Sequence, residues 1–381
     1  MRIALLTTDS REHYREYANP SPHFGTAPAA LLQGLAGVRE LEVHVISCAR
    51  EPMQSPAKLA DNIFFHSLPV GKLGWMRTLY AGCIRATRRK LREINPDLVH
   101  GQGTERDCAM AAVLSGFPNV LTLHGIMAEM ATVLNARPGS FYWLARALEN
   151  FALRRTGGVF CNSSHTETNV QPRTGRVWRV PNAVRAEFFT PAVAPQPARR
   201  PLLLNVGVIA EYKRQVELLD VAHALHEQGL NFELKFLGQL SEKSAYGRAF
   251  RDRVTAAEKN GYTSYEGFKD LAELIPLYDR AAAMIHVPTA ESFGLVAAEA
   301  LARNVKLFGS RVGGLVDIAA GVEGAELFAE NDWAGLQGAI ASWLRAGATR
   351  PTQAAQVMRE RYQPEVIARR HLEIYREVLK R

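Results

Sequence analysis

With 381 residues the chain is longer than one domain usually runs, and its 47% apolar and 8% aromatic content supplies material for two cores, which excludes a disordered or fibrous protein. No apolar run approaches the roughly 20 residues of a membrane span, and Cys48, Cys83, Cys108 and Cys161 form neither a C-x-x-C pair nor a pattern with nearby histidines, so a structural zinc site and a disulfide framework are not expected. The net charge of +8 lies wholly in residues 1–185, which hold 22 Lys and Arg against 14 Asp and Glu; no nucleic-acid motif accompanies it, so nucleic acid is not expected as a partner.

Taken in chain order, the apolar run at 3–6 is too short for a signal peptide and reads as a first strand, which makes a reduced cytoplasmic protein the expectation. Strand-like runs follow at 42–46, 97–100, 119–123 and 158–161, with helical segments at 29–36, 77–94 and 142–155 between them. This alternation predicts a parallel sheet wound on both faces, with ligands at the carboxyl ends of its strands. Residues 72–92 carry Lys72, Arg77, Arg85, Arg88, Arg89, Lys90 and Arg92 without an acid, interleaved with Trp75, Met76, Leu79, Tyr80, Ile84 and Leu91. Two readings stand: a surface helix with its apolar face in the core, or a basic amphipathic helix in peripheral contact with an anionic membrane.

Pro181, Pro191, Pro195, Pro197 and Pro201 break the pattern, and residues 186–200 read as a linker. The alternation then resumes at 202–206, 233–237, 263–267, 284–287 and 305–308. The fold class is therefore α/β, with two Rossmann-like domains, 1–185 and 201–363, facing across a central cleft. The last segment, 364–381, has helical periodicity.

The segment from Glu291 to Glu299 follows an apolar run that ends in Pro288 and predicts strand, loop and helix, the helix starting near Phe293 or Gly294. Amide N–H groups at a helix start lack intrahelical partners and carry partial positive charge, so a phosphate can bind there. Glu291 would stand in the loop beside it, and Glu299 about one and a half turns into the helix. The two acids are thus expected to serve different parts of one ligand.

Several spaced features together resemble glycosyltransferase family 4, which has the GT-B fold. They are Val180-Pro-Asn-Ala-Val184 with Phe189-Thr-Pro191, Asn205-Val-Gly207 with Lys213, Phe236-Leu-Gly238, Tyr265-Glu-Gly267, Pro288-x-x-Glu291-x-Phe293-Gly294 with Glu299-Ala300, and Ser310-Arg-Val-Gly-Gly314. The resemblance covers nearly the whole chain. It implies a retaining enzyme that moves a sugar from a UDP- or GDP-linked donor to a hydroxyl acceptor, such as a lipid-linked or cell-surface glycan precursor. It also implies that the first domain, 1–185, is the acceptor side and the second, 201–363, binds the nucleotide-sugar donor, and that residues 364–381 cross back to the first domain.

By the same resemblance, Lys213 binds the donor phosphate, Glu291 holds the sugar, Glu299 the ribose, and His124, just after a predicted strand, faces the sugar. Gly207, Arg214, Gly267, Phe268, Ser292, Phe293, Gly294 and Leu295 fall in the donor and nucleotide site, and Gly25 in the first loop. The departing diphosphate gains negative charge. A helix start offers at most about 2 kcal/mol, or some thirtyfold. A charge-assisted bond from Lys213 adds roughly 1.5–3 kcal/mol. Three positions depart from the family pattern: Val208 stands where an arginine is usual, Arg214 where a glycine is common, and Gly25 lacks a paired glycine. No Asp-x-Asp motif stands out, and the resemblance implies a metal-free mechanism with no cofactor beyond the nucleotide-sugar co-substrate. A sugar-nucleotide epimerase or a phosphorylase uses the same fold and is the alternative; a non-catalytic binding protein is a further rival.

Overall fold

A computed structural model describes residues 1–191 and 200–380 of the chain. They divide into two compact units: Met1–Ala186 together with the segment from Tyr362 onward, and Glu187–Arg361. Most of the expected linker, including Pro195 and Pro197, lies outside the described residues. Its first part differs from the expectation. Residues Ala186–Phe189 form a 3-10 turn, with Phe188 and Phe189 buried and Phe188 edge-on to Tyr278. Two adjacent phenylalanines bury too much apolar surface to stay in a solvated linker.

Unit 1 contains β1 (Arg2–Leu6), β2 (Glu42–Ala49), β3 (Lys58–Ala60), β4 (Ile63–Pro69), β5 (Leu98–Gln102), β6 (Asn119–Leu123), β7 (Val159–Cys161) and β8 (Val177–Arg179). They form one sheet in the order β3-β4-β2-β1-β5-β6-β7-β8, parallel except for the edge pair β3 and β4. Ile3 and Leu5 of β1 enter one core cluster with Leu31, Leu35 and Ile374, whereas Ala4 and Leu6 enter another with Leu91 and Met110. Both faces of the strand are covered, so its residues read as a continuous apolar run. The helix Pro364–Leu379 packs on the helix Thr26–Ala36 so closely that a Cβ at Gly34 would lie 2.1 Å from Pro364 O.

The basic segment is not one helix. Residues 72–78 make two short 3-10 turns, and the α-helix runs only over Ala81–Ile94. Leu79 and Tyr80 take left-handed backbone conformations (φ 51° and 64°), which an α-helix cannot contain. From Ala81 onward the apolar side, Cys83, Leu91 and Ile94, is buried in the core, and Arg85, Arg88, Arg89 and Arg92 are exposed.

Unit 2 contains β9 (Leu202–Val206), β10 (Glu233–Leu237), β11 (Thr263–Tyr265), β12 (Ala281–His286), β13 (Lys306–Ser310) and β14 (Ala325–Phe328), all parallel in the order β11-β10-β9-β12-β13-β14. The chain reverses its direction of winding between β9 and β12. Crevices at the carboxyl ends of such a strand pair are where ligands bind in this architecture. Among the described residues no helix is long and apolar enough to cross a membrane.

Candidate functional site

The carboxyl ends of β9 and β12 carry the candidate site of unit 2. After β9, Gly207 donates its N–H to Leu237 O, and the chain reaches a 3-10 turn at Glu211–Lys213. After β12 comes the loop 287–294, and the helix Leu295–Ala302 begins with Gly294 as its N-cap at φ 101°, one residue past the predicted start. Thr289 N–H donates to Tyr212 O at 2.8 Å and Ser310 Oγ to Pro288 O at 2.6 Å, so the turn, the loop and β13 are tied together.

This tie brings Lys213 and Glu291 into contact: Lys213 Nζ donates to Glu291 Oε2 at 2.7 Å, with both side chains largely buried. The same oxygen accepts from His286 Nε2 at 3.0 Å. Burial by itself would raise the Glu291 carboxyl, but the Lys213 ammonium and the His286 ring hold it far below the usual carboxylate range. Burial and Lys213 lower His286, which is therefore neutral and donates its Nε2–H. Among the described residues, Glu291 Oε1 has no hydrogen-bond partner.

The Ser310-Arg-Val-Gly-Gly314 motif has a steric reason. A Cβ at Gly313 would fall 1.7 Å from Glu291 O, and one at Gly314 2.5 Å from Phe293 Cα. Gly314 N–H also donates to Glu291 O at 3.0 Å. The two glycines back the loop that aims Glu291, and larger residues there would displace it.

The other expected residues divide between the units. Glu299 is buried on the helix Leu295–Ala302, just over a turn from its start, with Leu295 at its first position. Phe293 is buried and Ser292 half-buried in the preceding loop. Gly267 O accepts from Gly238 N–H, and Phe268 beside it is 66% exposed. Arg214 is buried and left-handed (φ 61°), its guanidinium hydrogen-bonded to Asn331 and 4.4 Å over the Trp333 ring, which anchors the start of the helix Gln215–Glu227. In unit 1, Gly25 caps the helix Thr26–Ala36 with space around it, and His124 follows β6. His124 Nε2 meets Gln102 Oε1 at 3.0 Å, and burial lowers the ring to about 4.

Sequence reasoning missed His286, whose place inside an apolar strand gave no sign of its bond to Glu291. For a metal, the described residues offer Cys48, Cys83 and Asp107, with ligand atoms within 4.8 Å of one another. That is one short of the four ligands of structural zinc. The hydrogen bond with Cys83 and burial also push the Cys48 thiol up, and burial raises Asp107, so both resist the ionised form a metal requires.

Two family models match the chain in succession: Glycosyltransferase Family 4 over residues 27–188 and Glycosyl transferases group 1 over residues 188–361. No curated protein matches. Among solved structures, sucrose-phosphate synthase from Thermosynechococcus elongatus is similar at 19% identity and a TM-score of 0.78, with 100% of this chain and 99% of that one covered. HepE of Anabaena in complex with UDP-glucose is similar at 17% identity and a TM-score of 0.72, covering 99% of this chain and 100% of that one. The lipopolysaccharide outer core galactosyltransferase WaaB shows 13% identity and a TM-score of 0.68 over 99% and 100% of the two chains. At these identities the structural likeness speaks for the fold.

Proposed function

Because the chain belongs to glycosyltransferase family 4 and has the GT-B fold, we propose that it is a retaining transferase that takes a sugar from a UDP- or GDP-linked donor to a hydroxyl acceptor. The observation that carries this reading is the Lys213–Glu291–His286 group at the ends of β9 and β12, beside the start of the helix Leu295–Ala302. Each part answers a need of the reaction. As the bond from the anomeric carbon to the diphosphate breaks, its electron pair passes to a phosphate oxygen. Lys213 and the first helix N–H groups stabilise that charge. Glu291 Oε1 accepts from a sugar hydroxyl, while Oε2 stays with its two donors. Glu299 serves the ribose, with Phe268, Gly267, Gly207 and the 292–295 stretch around the nucleotide. In unit 1, His124 serves the sugar. The acceptor oxygen bonds to the anomeric carbon on the face the diphosphate left, and its proton goes to the departing phosphate.

HepE, which is similar in fold, binds UDP-glucose, and this supports a nucleotide-sugar donor here. A thermal-shift panel of UDP, GDP, ADP and their sugars tests it, since a ligand at 100 times its Kd adds about 2.7 kcal/mol of stability. No shift with any of them would reject the reading. NMR of the product anomer tests retention, and turnover unchanged in EDTA tests the metal-free chemistry.

The acceptor is proposed as lipid-linked, met at the cytoplasmic face of a membrane. Leu73 is 78% and Leu79 49% exposed, beside exposed Lys72 and Arg77 and ahead of the arginines of the helix Ala81–Ile94. Protruding leucines among cations fit an anionic bilayer surface. The full chain should sediment with phosphatidylglycerol vesicles at low salt and not with phosphatidylcholine; sedimentation with neither removes the membrane contact.

A further inference from the structure

Glu291 is a largely buried carboxylate, and in the resting protein the ammonium of Lys213 balances its charge from 2.7 Å. The chemistry proposed above turns the same ammonium toward a diphosphate. Arg214, next in the chain, serves neither anion, because its buried guanidinium is engaged by Asn331 and lies 4.4 Å over the Trp333 ring. Val208, exposed just past β9, brings no charge. One ammonium thus stands between two anions. A carboxylate that loses its ion pair inside a protein is strongly destabilised unless another positive group replaces it.

His286 stands where such a group is needed. The last residue of β12, it is 1% exposed and donates Nε2–H at 3.0 Å to the same Oε2 that Lys213 holds. Lys213 and Glu291 are the charges that act on its ring. Of the elements packed on β12, β9 has no ionisable side chain, β13 carries Lys306, paired with Glu326, and the helix Leu295–Ala302 carries Glu299, given to the ribose above. Burial and Lys213 keep the ring neutral in the resting protein, against the pull of Glu291. A diphosphate that draws Lys213 weakens one of those two restraints and adds negative charge of its own, while the pull of Glu291 remains.

We infer that His286 is a positioning residue that takes up a proton as the nucleotide-sugar engages Lys213, so that donor and proton bind together. The proton comes from solvent to Nδ1, since Nε2 already carries the hydrogen given to Glu291. The imidazolium then takes the place of the ammonium on Oε2, and Oε1 stays open to the sugar hydroxyl. The inference rests on the transferase reading above and deepens it.

Calorimetry on the full chain at pH 7 with UDP-glucose, GDP-mannose and ADP-glucose, each in phosphate, HEPES and Tris, counts protons from the dependence of the heat on buffer ionisation. The diphosphate of a nucleotide-sugar is esterified at both ends and exchanges no proton near neutrality, so uptake reports on the protein. At least one donor should bind with uptake of about half a proton or more, which amounts to about a threefold or greater loss of affinity per unit of rising pH. His286→Gln keeps an N–H for Glu291 but does not titrate, and should bind donor without uptake. Smaller uptake by the wild type, or uptake that persists in His286→Gln, overturns the inference and leaves the transferase reading standing. If that variant does not fold, ring-nitrogen NMR of the wild-type protein decides: donor should convert one histidine from singly to doubly protonated, and unchanged spectra overturn the inference. Binding of none of the three donors overturns the transferase reading and the inference with it.

Discussion

In unit 1, His100 Nδ1 meets Tyr375 Oη at 2.6 Å and its Nε2 meets Thr122 Oγ1 at 2.7 Å, while Gln102 links this pair to His124. In unit 2, the polar groups beneath the strand ends are an ammonium, a carboxylate and the imidazole between them in sequence. The first region keeps its buried histidines neutral: burial lowers His100, and lowers His371 to about 4. The second keeps a buried carboxylate ionised by giving it two donors on one oxygen. A neutral network costs little to bury and holds shape, whereas a paired charge is expensive to bury and stands ready to exchange partners with a ligand. The contrast separates a supporting framework from a reactive group.

Lys213→Ala tests the charged side of that contrast most severely. Loss of one charge-assisted bond should lower kcat/KM by about 10- to 150-fold and, because Glu291 is left with only a neutral partner, lower stability as well. Adding Glu291→Gln should restore stability but not turnover. Urea unfolding and initial rates on the two variants would show whether the pair is structural instead, in which case both properties would recover together.

Acid should loosen unit 1 before unit 2. The folded value of His371 lies below its ordinary value of 6.5, so the unfolded chain binds more protons between pH 6.5 and 4, and stability falls as pH falls through that window. The loss approaches about 3 kcal/mol at pH 4 for this one buried ring. Glu291 is lowered as well, but from a carboxylate's starting value, so its stabilising share is full above pH 4.5 and is lost progressively as pH falls from there toward its depressed folded value. Hydrogen exchange at pH 5 should therefore rise most in β5, β6 and the helix Pro364–Leu379, where His100, His124 and His371 are all lowered, and less in β12, where His286 alone is. Equal loosening of both units would erase the distinction.

Two glycines give smaller effects. Gly34→Ala forces a methyl to within 2.1 Å of a carbonyl and should cost about 1–3 kcal/mol by thermal unfolding. Gly25→Ala has room, its nearest neighbour at 3.7 Å, and should change stability by no more than about 0.5 kcal/mol. A large drop in activity with that fold intact would assign Gly25 to ligand approach.

The strands that stood out in the sequence are short, mainly apolar runs with a proline or glycine close by: β6, β9 and β10 begin and end where expected. β4 was missed because His66 and Ser67 interrupt it and its partner β2 lies some twenty residues earlier. β8 has three residues and β14 four, too few for periodicity to register. The Glu291 loop was legible because its spacing is local. A cavity of unit 1 lined by Glu12, Trp75 and Glu105 was not, because these residues meet only through the pairing of β1 with β5 and a left-handed break that no periodicity announces.

The packing of Pro364–Leu379 on Thr26–Ala36 has a consequence for how the protein is made. Unit 1 needs residues from both ends of the chain, so on the ribosome it waits for its last piece while all of unit 2 is synthesised. At about 5–20 residues per second that interval is roughly 10–35 s. Throughout it the seat for Ile367, Leu372 and Tyr375 is an open apolar groove, and His100 lacks the hydroxyl it faces in the finished molecule.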